Sequence, residues 1–142
     1  MADGFVVQET IAAAPNAVWA YLTDFSKAKA WMTGVEDMRS LDDGPLAIGT
    51  RLQFKSRGKL RDSRVTALDP GRRIALTSTQ GGVTATYTYA LEPAKEGTEI
   101  TLHAACTATG FWKLLHPVIV MAMRKSDSSH LANLKSAMSG QG

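Results

Sequence analysis

The sequence has few of the residues that build metal, disulfide or phosphate sites. Its single cysteine, Cys106, cannot form a disulfide within the chain. Its three histidines are widely spaced, with no cysteine or carboxylate nearby at ligand spacing: His103, His116 and His130. The glycine pair 81–82 joins two strand-like segments and precedes no helix, so it predicts a hairpin, not a phosphate loop. We therefore expect no metal and no cofactor.

Long apolar runs are also missing. The longest, Leu114 to Met123, is broken by His116 and Pro117 and falls short of the ~20 residues that a membrane span requires. The N-terminus carries Asp3 where a signal peptide has cations, and no apolar segment follows it. These features, together with the single cysteine, predict a cytoplasmic protein.

The 142 residues are 44% hydrophobic and 20% charged, which is typical of one globular domain spanning residues 1–142. The formal charge of +3 and the pI near 9.2 are only mildly basic. Proteins that bind nucleic acid usually concentrate positive charge further, so we expect no nucleic-acid partner.

Short strand-like segments separated by turn signals fill most of the chain. Alternation is clearest from Val83 to Glu92 and from Glu99 to Thr109, where apolar residues take one face and threonines take most of the other. The same criteria predict strands over 5–11, 35–41, 49–57, 59–68 and 72–79. The connections are short, which favours antiparallel pairing of consecutive strands.

Helical patterns occur only near the two ends. Pro15 suits the first turn of a helix, and Asp24 can cap a second short helix that carries Trp31 on its inward face. From Pro117 to Met138 an uninterrupted helix would run about 33 Å. The predicted fold is α+β: about seven strands in a curved antiparallel sheet, two short helices after the first strand, and one long C-terminal helix packed across the sheet.

The segment from Ala14 to Asp24, followed by Trp31, resembles the opening signature of the START-like superfamily, and within it the bacterial polyketide cyclase/dehydrase and lipid-transport (SRPBCC) group. The resemblance continues through residues 48–50, 68–73, 91–93 and 97–98 and covers nearly the whole chain. It implies a helix-grip fold with an apolar tunnel between the long helix and the sheet. Members of the group use this tunnel for lipids, sterols, polyketides or aromatic metabolites.

Binding or transport of a hydrophobic small molecule is therefore the function we expect, with a lipid, an isoprenoid or an aromatic polyketide-like compound as ligand. The large residues would shape the walls of the cavity and the small ones would leave room. The predicted ligand-binding residues are Trp31, Phe54, Tyr87, Tyr89, Leu102, Ala104, Leu115, Val118, Ile119 and Ala122.

A cyclase or dehydratase using the same pocket, without a metal, is the alternative. It needs an acid and a base, for which Tyr21, Tyr87, Tyr89, His103 and His116 are the candidates. Tyrosines on a buried face usually only pack, however, and Cys106 is expected to be an inert apolar residue. No catalytic residue is assigned.

Charge leaves two further questions open. Arg64 shares strand parity with Leu60 and Leu68, so it either points inward toward a ligand head group or is turned outward by a bulge. Cations of the segment 51–64 form either a solvated hairpin face or a surface for transient docking on an anionic membrane.

The state of assembly is open as well. An interaction module would need exposed apolar surface, for which only Trp19 and Trp112 are candidates. We expect a monomer or a weak homodimer that pairs through the edge strand 35–41.

Overall fold

A computed structural model describes residues 3–32, 35–56, 58–80, 82–127 and 129–139. The strands are β1 (Asp3–Ile11), β2 (Val35–Ser40), β3 (Arg51–Ser56), β4 (Lys59–Asp69), β5 (Arg73–Gln80), β6 (Val83–Ala94) and β7 (Gly97–Ala108). The helices are α1 (Pro15–Leu22), α2 (His116–Asp127) and α3 (His130–Ser139), with 3-10 helices over Phe25–Ala30 and Gly110–Leu115.

Within these residues the strands form one seven-stranded sheet in the order β1-β7-β6-β5-β4-β3-β2, and all neighbours are antiparallel. Strands β2 to β7 follow one another as a meander, and β1 completes the sheet by pairing with β7. This arrangement confirms the predicted fold class. It makes β1 and β2 the two edges.

Each strand presents one face to the core and one to solvent. On β7 the side chains of Ile100, Leu102, Ala104 and Cys106 are fully buried, as the alternation predicts. The opposite face carries a ladder of threonine hydroxyls, in which Thr77 lies 2.9 Å from Thr66 and 3.0 Å from Thr86. We call the buried side the inner face of the sheet.

The predicted uninterrupted helix from Pro117 to Met138 is wrong. The structure has two helices in its place, α2 and α3, which are separated between Asp127 and His130. Among the described side chains of these two helices, the fully buried ones are Leu131 and Leu134 of α3, both 0% exposed. The chain makes a turn at Ser129, and α3 begins with the hydrogen bond from the backbone N–H of Asn133 to the carbonyl of Ser129.

The segment before β2 follows its sequence pattern closely. Asp24 caps the first 3-10 helix by accepting a hydrogen bond from the backbone N–H of Ser26 at 3.2 Å, as predicted. This helix is a 3-10 turn with Ala28 on its buried side. Trp31 follows directly, 1% exposed, with its backbone N–H bonded to the carbonyl of Ala28. The cap and the turn together position Trp31 against the inner face.

The connection between β2 and β3 is closed by an ion pair between Asp42 and Arg51. The carboxylate accepts a hydrogen bond from the Arg51 backbone N–H at 2.7 Å, and from its Nη2 at 2.7 Å. The hydrogen bond from the Arg51 side chain, helped by that from the backbone, lowers the pKa of Asp42 below its ordinary value. Both groups lie at the surface, so the pair contributes little, but its contribution depends on pH.

We predict that Asp42→Asn lowers the free energy of unfolding slightly at neutral pH and has no effect in acid. A carboxyl whose pKa is depressed by folding stabilises the protein above its unfolded-state pKa, and this contribution is lost as pH falls through the folded-state pKa. Urea unfolding of both proteins across that range measures the difference. Asp43→Asn, at the adjacent exposed position, is the control. An equal loss of stability in Asp42→Asn at neutral and acidic pH would contradict the assignment.

Candidate functional site

Four rings meet between the inner face of the sheet and the start of α3. Trp31 lies edge-on to Tyr89, with ring centroids 5.5 Å apart at 85°, and edge-on to His130 at 6.1 Å and 89°. Tyr87 and His130 are stacked, 6.3 Å apart with an interplanar angle of 28°. Edge-to-face contacts of this kind add about 0.5–1.5 kcal/mol each to the burial of the rings. We call these residues the aromatic cluster.

Three elements position the cluster. Tyr87 and Tyr89 are alternate residues of β6, so both point to the inner face. His130 is the first residue of α3, where the helix begins against the sheet, and is 5% exposed. Asn133, one turn further on, donates a hydrogen bond from Nδ2 to the backbone carbonyl of Trp31 at 3.4 Å. Helix, sheet and the Trp31 segment are therefore joined at this point.

The indole of Trp31 carries a buried donor. Its Nε1 is inaccessible to solvent and has no hydrogen-bond partner among the residues that the structure describes. Buried polar groups are hydrogen-bonded in the large majority of cases, and an orphaned donor costs about 1–3 kcal/mol. The indole N–H is therefore a polar group of the cluster that the described residues leave without an acceptor.

Five of the ten predicted ligand-binding residues are brought together here. Tyr87 lies opposite Ala104 and Tyr89 lies opposite Leu102, because β6 and β7 pair in this register. Trp31 covers Tyr89 from the other side. The short side chain of Ala104 separates the larger Phe5 and Tyr87, its partners on the neighbouring strands. We call these neighbouring side chains the wall; all of them except the half-buried Tyr87 are buried.

The other five lie further away or outside the described side chains. Phe54 is half-buried on the inner face of β3, and Ile119 is half-buried on α2. Leu115 and Val118 instead face solvent, with 36% and 63% exposure, so neither belongs to the wall. The sequence from Leu114 to Met123 is apolar almost all round, which is typical of a helix buried on more than one side. In the structure, however, Val118 and Met121 face solvent. The side chain of Ala122 is not among those described.

A bulge in β4 decides the orientation of Arg64. The register shifts between Val65 and Ala67, so Leu68 points inward while Arg64 is exposed on the outer face. This confirms the bulge alternative. Arg61 lies instead on the inner side: it pairs with Phe54, is half-buried and shares its face with the buried Ser63 and Val65.

The remaining candidate acids and bases lie outside the cluster. His103 is exposed on the outer face, as its alternation predicts. His116 begins α2 and its Nε2 lies 2.8 Å from the backbone carbonyl of Cys106, which anchors the helix to β7. Cys106 itself is 0% exposed, and burial raises the pKa of its thiol, as expected for an unreactive cysteine. Tyr21 is buried on the inward side of α1, with Lys27 Nζ 4.9 Å from its ring centroid.

His130 and Arg61 are the functional candidates that sequence reasoning missed. His130 directly precedes the buried Leu131 and lies four residues before Leu134, so helical spacing alone could have placed it inward. Arg61 could have been found by counting back from Val65 in steps of two. Counting from Leu68 in steps of two instead puts Leu60 and Arg64 on the inner face. That count fails because the bulge between Val65 and Ala67 shifts the alternation by one residue.

Over the described residues, no helix is long and apolar enough to cross a membrane. In the same part of the chain, no three histidine, cysteine or acidic side chains cluster in a way that could hold a metal ion. Of the two tryptophans considered for an interaction surface, Trp19 is half-buried against the core, and the side chain of Trp112 lies outside the described set.

Several solved structures share this architecture. The Zhui aromatase/cyclase from Streptomyces sp. R1128 aligns over 96% of this chain and 93% of its own, with a TM-score of 0.76 and 15% identity. TTHA0849 from Thermus thermophilus aligns over 92% and 93%, with a TM-score of 0.71 and 22% identity. The di-domain ARO/CYC StfQ from the steffimycin biosynthetic pathway aligns over 96% of this chain and 50% of its own, with a TM-score of 0.70 and 15% identity. At such identities the likeness concerns the fold alone.

Comparison with curated protein sequences gives no match. The family model described as polyketide cyclase / dehydrase and lipid transport matches residues 4–139, nearly the entire chain. The chain therefore belongs to the polyketide cyclase/dehydrase and lipid transport family.

Proposed function

We propose that this protein binds a hydrophobic small molecule between the inner face of its sheet and the C-terminal helices, and that the aromatic cluster is the centre of the site. Membership of the family supports a ligand of this class. The wall formed by Tyr87, Tyr89, Leu102 and Ala104 is apolar apart from the two phenol groups. A surface of this composition favours a flat apolar body with few polar substituents.

The observation that carries the proposal is the buried Nε1 of Trp31, which has no acceptor among the described residues. A packed core of the same residues would gain stability by giving this donor a partner. A ligand with one well-placed oxygen satisfies it. The structure therefore favours a ligand with an apolar body and a carbonyl, ether or hydroxyl oxygen at the Trp31 end.

Arg61 gives the inner face a second polar feature. It lies beside Phe54 on the neighbouring strand, toward the end of the sheet where β3 turns into β4. An arginine at the end of an apolar face suits an acidic or strongly polar group at the far end of the ligand. We therefore keep Phe54 in the proposed ligand-binding site, together with the half-buried Ile119 of α2. We propose a cytoplasmic carrier that is a monomer or a weak homodimer.

Native mass spectrometry of the purified protein is the direct test of binding. We expect a mass increment that disappears on denaturation, and extraction then identifies the compound. An empty protein that also fails to take up a fluorescent apolar probe would overturn the proposal.

We predict that Trp31→Phe weakens the binding of 1-tetralone but not that of tetralin. The two probes have the same bicyclic body, and only the ketone offers an acceptor to Nε1. Loss of one hydrogen bond should raise the Kd for 1-tetralone about threefold to tenfold. Titration calorimetry with both probes and both proteins measures the difference. Equal weakening for both probes would assign Trp31 a packing role only.

We also predict that Ala104→Phe abolishes probe uptake while the protein remains folded. The new ring would enter the space beside Tyr87, and overpacking of this kind costs about 1–3 kcal/mol. Ala105→Phe is the matched control, since Ala105 lies on the same strand but on the outer face. Probe titration and thermal unfolding separate the outcomes. An Ala104→Phe variant that unfolds, beside a folded control, would indicate a packed core without a ligand cavity.

A cyclase or dehydratase activity is the second candidate, and His130 is the observation that favours it. An imidazole buried against Tyr87 and Trp31 supplies the inner site with a group able to accept or donate a proton. Tyr87, stacked on it, carries a phenol that can donate to a ligand carbonyl. Together they fit removal of a proton adjacent to a ketone.

If this pair acts on a bound ketone, the protein should accelerate exchange of the α-hydrogens of 1-tetralone with deuterium from the solvent. His130→Phe, which keeps an aromatic ring in place, should remove the acceleration, and Tyr87→Phe should reduce it about a hundredfold or more. Proton NMR follows the exchange. A wild-type rate equal to that of buffer, with the probe bound, excludes this chemistry and leaves the carrier proposal intact.

A further inference from the structure

A stripe of large apolar side chains on the second 3-10 helix and α2 faces solvent. Leu114 is 79% exposed, Val118 63% and Met121 71%. Their spacing of four and three residues puts them on one side of the helix. The opposite side of α2 is held to the sheet through His116 and the half-buried Ile119. We call the exposed residues the α2 stripe.

The chain around the α2 stripe carries positive charge. Between Glu99 and Asp127 the sequence contains no acidic residue, and both Lys113 and Arg124 are exposed. A helical segment with an apolar face, flanking cations and no acids has the composition of helices that lie in the interface of a lipid bilayer.

The β3–β4 hairpin lies at the same end of the sheet. β7 ends at Ala108, which pairs with Val83 at the start of β6, and the hairpin closes at the pair of Ser56 with Lys59. Because successive strands are antiparallel, the hairpin and the end of β7 lie at one end of the sheet, with β5 and β6 between them. Lys59 is exposed, and so is Leu60, at 69%. Lys55 is less available, because its Nζ lies 4.0 Å from a carboxylate oxygen of Glu36.

We propose that the α2 stripe, with Lys113 and Arg124 beside it and Lys59 and Leu60 on the hairpin, docks on an anionic lipid bilayer. The apolar side chains would enter the headgroup region and the cations would contact lipid phosphates. A second copy of the chain fits less well, since pairing two stripes symmetrically would bring the same cations together. Docking does not rest on the proposed ligand, because vesicles bind a protein whether or not its interior site is filled.

The test is co-sedimentation with phosphatidylcholine vesicles, prepared with and without phosphatidylglycerol. We expect the protein to bind only the anionic vesicles and to be released by salt. The double variant Val118→Gln/Met121→Gln should lower the partition coefficient about tenfold. Lys113→Gln should lower it about fivefold.

Ile48→Gln is the matched control. Ile48 is 66% exposed, close to the exposure of Val118, but it lies in the β2–β3 connection at the opposite end of the sheet. It should leave vesicle binding unchanged. Circular dichroism and thermal unfolding confirm that each variant is folded, which is expected because every changed side chain is exposed.

Three results would overturn the proposal. The wild-type protein fails to bind anionic vesicles, or the double variant binds them as tightly as the wild type and the Ile48 control. Alternatively, sedimentation velocity shows a dimer that the double variant dissociates, which would assign the stripe to a second copy of the chain.

Discussion

The pairing of β6 with β7 is the constraint on which the site depends. It is antiparallel along both strands, and it sets Tyr87 beside Ala104 and Tyr89 beside Leu102 on one face. A slip of one residue in either strand would turn its two inward side chains to the outer face, because strand side chains alternate with a period of two. The twelve-residue strands and their buried apolar positions make such a slip costly. Everything that packs on the inner face, including Trp31 and α3, relies on this register.

Division of the C-terminal helix gives its two halves different surroundings. α3 carries Leu131 and Leu134 into the core and presents His130 to the aromatic cluster. α2 is anchored at His116 but leaves the α2 stripe exposed. The proposed ligand site and the proposed docking surface therefore meet along one continuous segment of chain. Arg61 lies on the inner face toward the same end of the sheet.

This chain shares its architecture with an aromatase/cyclase at 15% identity. Shared architecture does not define the chemistry, which depends on individual side chains. The described groups that the two proposals use are the indole N–H of Trp31, the two phenols, the imidazole of His130 and the guanidinium of Arg61. The proposed binding uses the first of them as a donor, whereas the proposed proton transfer requires His130 and Tyr87 to act together.

Local patterns in the sequence determined the seven strands, the faces of β6 and β7, the Asp24 cap and the fold class, because alternation and turn chemistry act between residues close in the chain. The same patterns identified Trp31, Tyr87, Tyr89, Leu102 and Ala104 as neighbours of a common interior. Tertiary structure alone decided the rest. It placed the break before α3 and turned Val118 toward solvent. It also put Arg61 instead of Arg64 on the inner face and added His130 to the aromatic cluster. Each of these features depends on what the segment packs against. A bulge or a helix break changes the direction of every side chain beyond it, and the periodicity of the sequence does not show where such a change occurs.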